Sequence, residues 1–138
     1  MLTHERLTAW QKAHEFTLAV LRAFERAPKA AHPTLVHQLQ RAAIAVSTGI
    51  VEGAVRVTAD GFAAELDASL AAARECRYLI RLASDLGTIT SPGRATLEAR
   101  CDQVCRLLAS LRRHVEGSAA ARRTGHVRRA RRAPPRES

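Results

Sequence analysis

Apolar residues return every three or four positions along four separate stretches of this chain, and a chain patterned so can hide them only on one side of long helices. The last stretch is the most regular: Leu97, Cys101, Val104, Leu108, Leu111 and Val115 step by 4, 3, 4, 3 and 4. The second carries Leu35, Leu39, Ala42, Ala43, Val46 and Ile50, and the third Phe62, Leu66, Leu70, Ala73, Ile80, Ala83 and Leu86. The first has two adjacent stripes, Leu7, Trp10, His14, Thr17, Leu21 and Phe24 beside Ala13, Phe16, Val20 and Ala23. A broad apolar face of that kind suits a helix touching two neighbours. Aromatics make up only 4% of the chain, so the core must be built from Ala, Leu, Val and Ile, which suit closely packed helices.

Punctuation divides the pattern into four rods. The first begins between residues 3 and 8 and runs to about Ala27, where Pro28 ends it. Thr34 is the expected N-cap of the second, which reaches about Arg56. Thr58 caps the third, with Asp60 in its first turn, and Gly87 closes it. Ser91 caps the fourth, with Pro92 at its first helical position, and Gly117 ends it. Gly49 and Gly53 lie inside the second rod, where each costs roughly 1 kcal/mol relative to alanine. Close approach of another helix is the expected compensation. Short connections make each rod antiparallel to the one before. The sequence therefore predicts an all-α, up-down-up-down four-helix bundle over 1–117, followed by a disordered basic tail over 118–138.

Charge is concentrated at the end. The net charge is +9, and residues 117–138 hold seven Arg and one Glu, so six of the nine excess charges lie there. Arg122, Arg123, Arg128, Arg129, Arg131 and Arg132 can neutralise phosphates of RNA or DNA without reading bases, and no aromatic residue interleaves them for stacking. Arginines kept for solubility, or supplied by compositional bias (Arg outnumbers Lys 20 to two), are the plainer alternative. Arg74, Arg77 and Arg81 form a second stripe on the third helix, either a phosphate contact or an ordinary solvated face.

No enzymatic constellation stands out. His14-Glu15 lacks a second histidine for a metalloprotease helix, and there is no phosphate-cradling glycine loop, no G-x-S-x-G and no C-x-x-C. The expectation is no enzyme, no cofactor and no metal. Cys101 and Cys105 are one turn apart, but Cys101 falls in the heptad and reads as a small buried hydrophobe. Cys76, Cys101 and Cys105 cannot all pair, so reduced thiols in a cytoplasmic protein are expected. The start of the chain, with Glu5 and Arg6 and no apolar run, does not read as a secretory leader, and no stretch is apolar enough to span a membrane. His14, on the core stripe, is expected in the interior or at a subunit contact.

The run Gln38-Leu39-Gln40-Arg41-Ala42-Ala43-Ile44-Ala45-Val46, with Ile50-Val51-Glu52-Gly53, resembles the bacterial four-helix-bundle proteins encoded in intervening sequences of 23S ribosomal RNA genes. The similarity takes in Leu7, Trp10-Gln11-Lys12-Ala13, Phe62, Glu75 and the segment Leu82-Ala83…Leu86-Gly87, so it spans roughly 5–115. The chain departs from the family pattern at Ala45 and Gly49, where Ser and Asn are usual, and at Ala71-Ala72, where Gly-Ser is usual. The resemblance implies a homo-oligomeric ring, a pentamer, without enzymatic activity. It also implies kinship in fold with accessory proteins of diversity-generating retroelements, basic pentamers that bind nucleic acid and a reverse transcriptase. Trp10, Gln38, Arg41, Glu52, Gly53 and Glu75 become candidate assembly residues, with Arg41 and Glu52, three turns apart, as an inter-subunit pair. Two roles follow: an oligomer that holds RNA or DNA electrostatically, or a protein-interaction scaffold, for example for a reverse transcriptase, with no nucleic-acid role of its own.

Overall fold

A computed structural model describes residues 4–25 and 32–132. After a 3-10 turn at His4–Arg6 come four helices: α1 (Thr8–Ala23), α2 (Pro33–Ala54), α3 (Ala59–Asp85) and α4 (Ser91–Arg132). Each packs on the next and α4 returns to α1, whereas the backbones of α1 and α3, and of α2 and α4, stay more than 8 Å apart across the core. This is the square cross-section of a four-helix bundle. Cross-helix pairs fix the directions. From Arg77–Asp102 through Asp67–Arg112 to Asp60–Arg123, numbers fall along α3 as they rise along α4. α3 and α4 are antiparallel, as the short connection between them predicts.

The centre is a continuous apolar cluster in which Phe16, Val20, Leu39, Val46, Ile50, Ile80, Val104 and Leu108 are fully buried. Val36 and Ala9 join the buried set, while Ala23 and Leu86 from the anticipated stripes are exposed. Two hydroxyls sit inside it. Ser69 Oγ donates to the Val46 carbonyl, tying α3 to α2. Thr17 Oγ1 lies 2.9 Å from the Ala13 carbonyl, 2.8 Å from the Ala43 carbonyl and 2.7 Å from Ser47 Oγ. One hydroxyl proton thus serves α1 and α2 together, and Ser47 can donate in return. Thr17→Val keeps the shape but removes the buried hydroxyl that ties α1 to α2 and to Ser47, so it is expected to lower stability by about 1–2 kcal/mol. Urea denaturation checks this, and an unchanged midpoint would count against it.

Several helix ends differ from the sequence expectation. α1 closes at Ala23, not near Ala27; Pro28 lies outside the described residues. α2 opens at Pro33, not after Thr34: His32 takes the left-handed conformation (φ 66°) and proline fills the first helical position, where its missing N–H costs nothing. Thr58 caps α3 as expected, its Oγ1 accepting from Gly61 N at 3.0 Å. Gly87 (φ 73°) closes α3, with Thr88 N donating to Ala83 O and Gly87 N to Ser84 O, the paired bonds of a Schellman motif. For α4 the capping side chain is Thr90, whose Oγ1 accepts from Gly93 N at 3.1 Å, so Ser91 is already helical.

The largest correction is at the far end. α4 does not stop at Gly117 but runs on to Arg132, 42 residues in all, or about 63 Å. Gly87 is the only described glycine with positive φ, so Gly117 has no helix-closing geometry. The Ala119-Ala120-Ala121-Arg122-Arg123 run that follows consists of strong helix formers, which outweigh one glycine. Ala119 is buried, so this first extra turn is packed. The expected boundary between bundle and tail at 117 is thus not a helix end.

Candidate nucleic-acid interface

The two arginine groups differ in the carboxylates that the chain places beside them. On α3, Arg77 bridges two α4 carboxylates, Glu98 (2.8 Å) and Asp102 (2.9 Å), and Arg81 reaches Asp85 at 3.4 Å. Hydrogen bonding to Asp102 raises the Arg77 guanidinium further above its ordinary range. Arg94, and after it Arg77, hold Glu98 below the usual carboxylate range. Arg74 is exposed and enters no ion pair among the described residues. Arg77 is therefore a strap between α3 and α4, Arg81 is matched within α3, and Arg74 is the one stripe arginine without an ion pair among the described residues. A second strap, Arg112 to both oxygens of Asp67 (2.6 and 3.1 Å), holds that aspartate below its usual range.

The α4 extension is different. Between residues 118 and 132 stand six arginines and no acid. Arg123 lies 3.6 Å from Asp60, both largely exposed, and Arg122 is exposed without an ion pair among the described residues. Asp60 sits in the first turn of α3, so the part of α4 beyond Arg123 has no α3 alongside it. Nine further residues of helix project about 14 Å past that point. They include the backbone of Arg128, Arg129, Arg131 and Arg132; those side chains lie outside the described set.

The motif on α2 has a clear structural content. Gln38 Nε2 donates to Glu75 Oε1 at 3.0 Å, linking α2 to α3. Gly49 and Gly53 are buried, and a Cβ at Gly49 would fall 2.9 Å from Ser69 Cβ and 3.2 Å from the Glu65 carbonyl. At Gly53 it would meet Glu65 Cβ at 3.2 Å. These residues let α2 and α3 touch along their backbones. Arg41 and Glu52 are exposed and enter no ion pair among the described residues. Trp10 is half-buried, stacked on His14 at 4.9 Å (11° between planes), with His4 edge-on at 4.9 Å. Of the two places expected for His14, the interior and a subunit contact, the interior is thereby corrected for this chain. Its ring lies outside, against the tryptophan, because the buried edge of α1 is Ala9, Ala13, Phe16, Thr17 and Val20.

Cys76 and Cys101 are buried and Cys105 half-buried, all as free thiols. Among the described residues no three His, Cys, Asp or Glu side chains are placed to share a metal ion. No described helix is long and apolar enough to cross a membrane. Sequence reasoning missed the acidic partners of the stripe, Glu98 and Asp102, and the Arg112–Asp67 strap. The i,i+4 spacing of Arg81–Asp85, Arg94–Glu98 and Arg112–Glu116 was the local signal of pairing.

The chain has no significant sequence match among curated proteins. Its fold is shared with a protein of unknown function from the S23 ribosomal protein family of Bacteroides thetaiotaomicron VPI-5482. That crystal structure superposes with a TM-score of 0.70 at 16% identity, over 81% of this chain and 99% of that one. Residues 5–110 match the family described as 23S rRNA-intervening sequence protein, which covers all of α1, α2 and α3 and α4 as far as Ser110. With the glycine-mediated contact of α2 and α3 and the four-helix square in place, the chain belongs to the 23S rRNA-intervening sequence protein family.

Proposed function

We propose that this chain is a non-enzymatic, homo-oligomeric bundle, pentameric as its family resemblance implies, that holds RNA or DNA electrostatically through the end of α4. One observation carries the reading: six arginines without a carboxylate among them on a helix that outruns its neighbour. Every chain in a cyclic ring presents the same end to the same side. A pentamer would therefore gather roughly thirty arginines on one face, a field suited to a polyphosphate and indifferent to base sequence. The α3 stripe contributes less, since Glu98, Asp102 and Asp85 already answer Arg77 and Arg81.

The test is a salt titration. Anisotropy of a labelled 20-base-pair RNA duplex should show affinity falling about a thousandfold between 50 and 200 mM salt, the behaviour of some six phosphate contacts. A flat profile would overturn the reading. A second role, as an accessory scaffold for a protein such as a reverse transcriptase, is favoured by two valines exposed between α2 and α3, Val57 (96%) and Val55 (66%). Capture of a protein that survives nuclease treatment separates that role from the first.

A further inference from the structure

Between α3 and α4, on the side away from α1 and α2, lies an open groove of about 490 Å³ lined by Arg74, Arg77, Tyr78, Arg81, Asp102 and Cys105. Three guanidiniums and one carboxylate line it, and Glu98 and Asp85 pair with Arg77 and Arg81 from its edges. Arg77 is committed to Glu98 and Asp102, which leaves Arg74 and the loosely held Arg81 to meet an incoming anion. Cys105 is the only one of the three thiols that reaches this surface; Cys76 and Cys101 are sealed behind it.

We propose that Cys105 is a covalent modification site for anionic small-molecule disulfides, whose carboxylates Arg74 and Arg81 hold while the thiol exchanges. The groups around the sulfur suit that step. The Cys101 thiol rests on the Ala73 carbonyl at 3.2 Å. When Cys105 ionises, that single hydrogen can turn to the new thiolate, and Arg74 and Arg77 stabilise it from the groove. Together they bring Cys105 down to about 7, against the opposing pull of burial and Asp102. Burial first, and then Glu75, push Cys76 up to about 12, and hydrogen bonding with Cys105, then burial, raise Cys101 as well. One nucleophile and two inert thiols result.

The exchange balances without any other oxidant. Cys105 loses its proton to solvent, and its thiolate attacks one sulfur of the disulfide. As the Cys105–S bond forms, the disulfide S–S bond breaks, and the second sulfur leaves as a thiolate with the electron pair and takes up a proton. The protein thiol is oxidised by the same two electrons that reduce the leaving thiol. The adduct then sits in the groove as a fixed negative group among the α3 arginines.

The experiment compares oxidised glutathione, which is anionic, with cystamine, which is dicationic, on the full-length protein at pH 7. Intact mass and peptide mapping give the rates, each divided by that of the same disulfide with N-acetylcysteine. Expected is a single adduct, on Cys105, formed about tenfold faster with glutathione disulfide than with cystamine after that correction. Arg74→Gln with Arg81→Gln, both surface changes, should remove most of the preference, and Cys105→Ser should remove the adduct. Equal corrected rates, an unchanged preference in the double arginine variant, no adduct, or adducts spread over all three cysteines would each overturn the proposal. A circular dichroism spectrum matching the parent shows that the variants are folded.

Discussion

Ending the chain at Gly117 is expected to leave a folded bundle that has lost at least about a thousandfold of its affinity for duplex RNA at 50 mM salt. The two halves of this expectation rest on different residues. Stability comes from the apolar ladder of α4, in which Leu97, Cys101, Val104 and Leu108 are buried and Leu111 and Val115 pack against the cluster. Beyond Gly117 only Ala119 is buried among the described residues, and an alanine contributes little apolar area. The melting temperature should therefore move by only a few degrees. On the proposed function, affinity would come from counterions freed from the RNA as the six arginines neutralise its phosphates, a contribution that would vanish with them. Arg74 and Arg81 remain in the truncated chain, so their share is measured at once. Should the truncated protein bind as tightly as the parent, with the same salt slope, the site would have to lie on the body of the bundle.

The division of labour along the chain explains what was legible before folding. The four rods and their order follow from periodicity, because burying a three-four stripe is a local demand that each helix carries in its own sequence. Thr58, Gly87 and the pair Gly49 and Gly53 were legible for the same reason: a cap, a left-handed turn and a flat helix face are properties of one residue type at one place. Ends decided by competition were not. His32 with Pro33 displaced Thr34, Thr90 displaced Ser91, and helix formers after Gly117 overrode the glycine. The arginine stripe was legible as a stripe but not as a strap, because Glu98 and Asp102 come from α4, and their distance from Arg77 depends on how two helices register. His14 shows the same limit. Its place beside Trp10 on a 3.6-residue wheel fits an inward or an outward rotation, and only the packing of Phe16 and Val20 on neighbouring helices decides between them.

Gly49→Val should cost about 3 kcal/mol or more, lowering the melting temperature by about 10 °C. The α2–α3 contact leaves no room: even the first added carbon would stand 2.9 Å from Ser69 Cβ and 3.3 Å from Ser69 Cα, and neither can swing aside as the end of a long side chain would. Separating the helices to admit it would also stretch the Ser69–Val46 hydrogen bond and open the cluster around Val46 and Ile50. Alanine at the same place is the milder variant, because its gain of roughly 1 kcal/mol in helix propensity offsets part of the overlap. Gly117→Val is the control. Nothing lies within 4 Å of a Cβ there, so the same change of residue should shift stability by less than about 0.5 kcal/mol. Calorimetry of the two valine variants decides the matter. Equal melting temperatures would mean that α2 and α3 do not meet through Gly49, and the close contact of the two helices in this bundle would have to be given up.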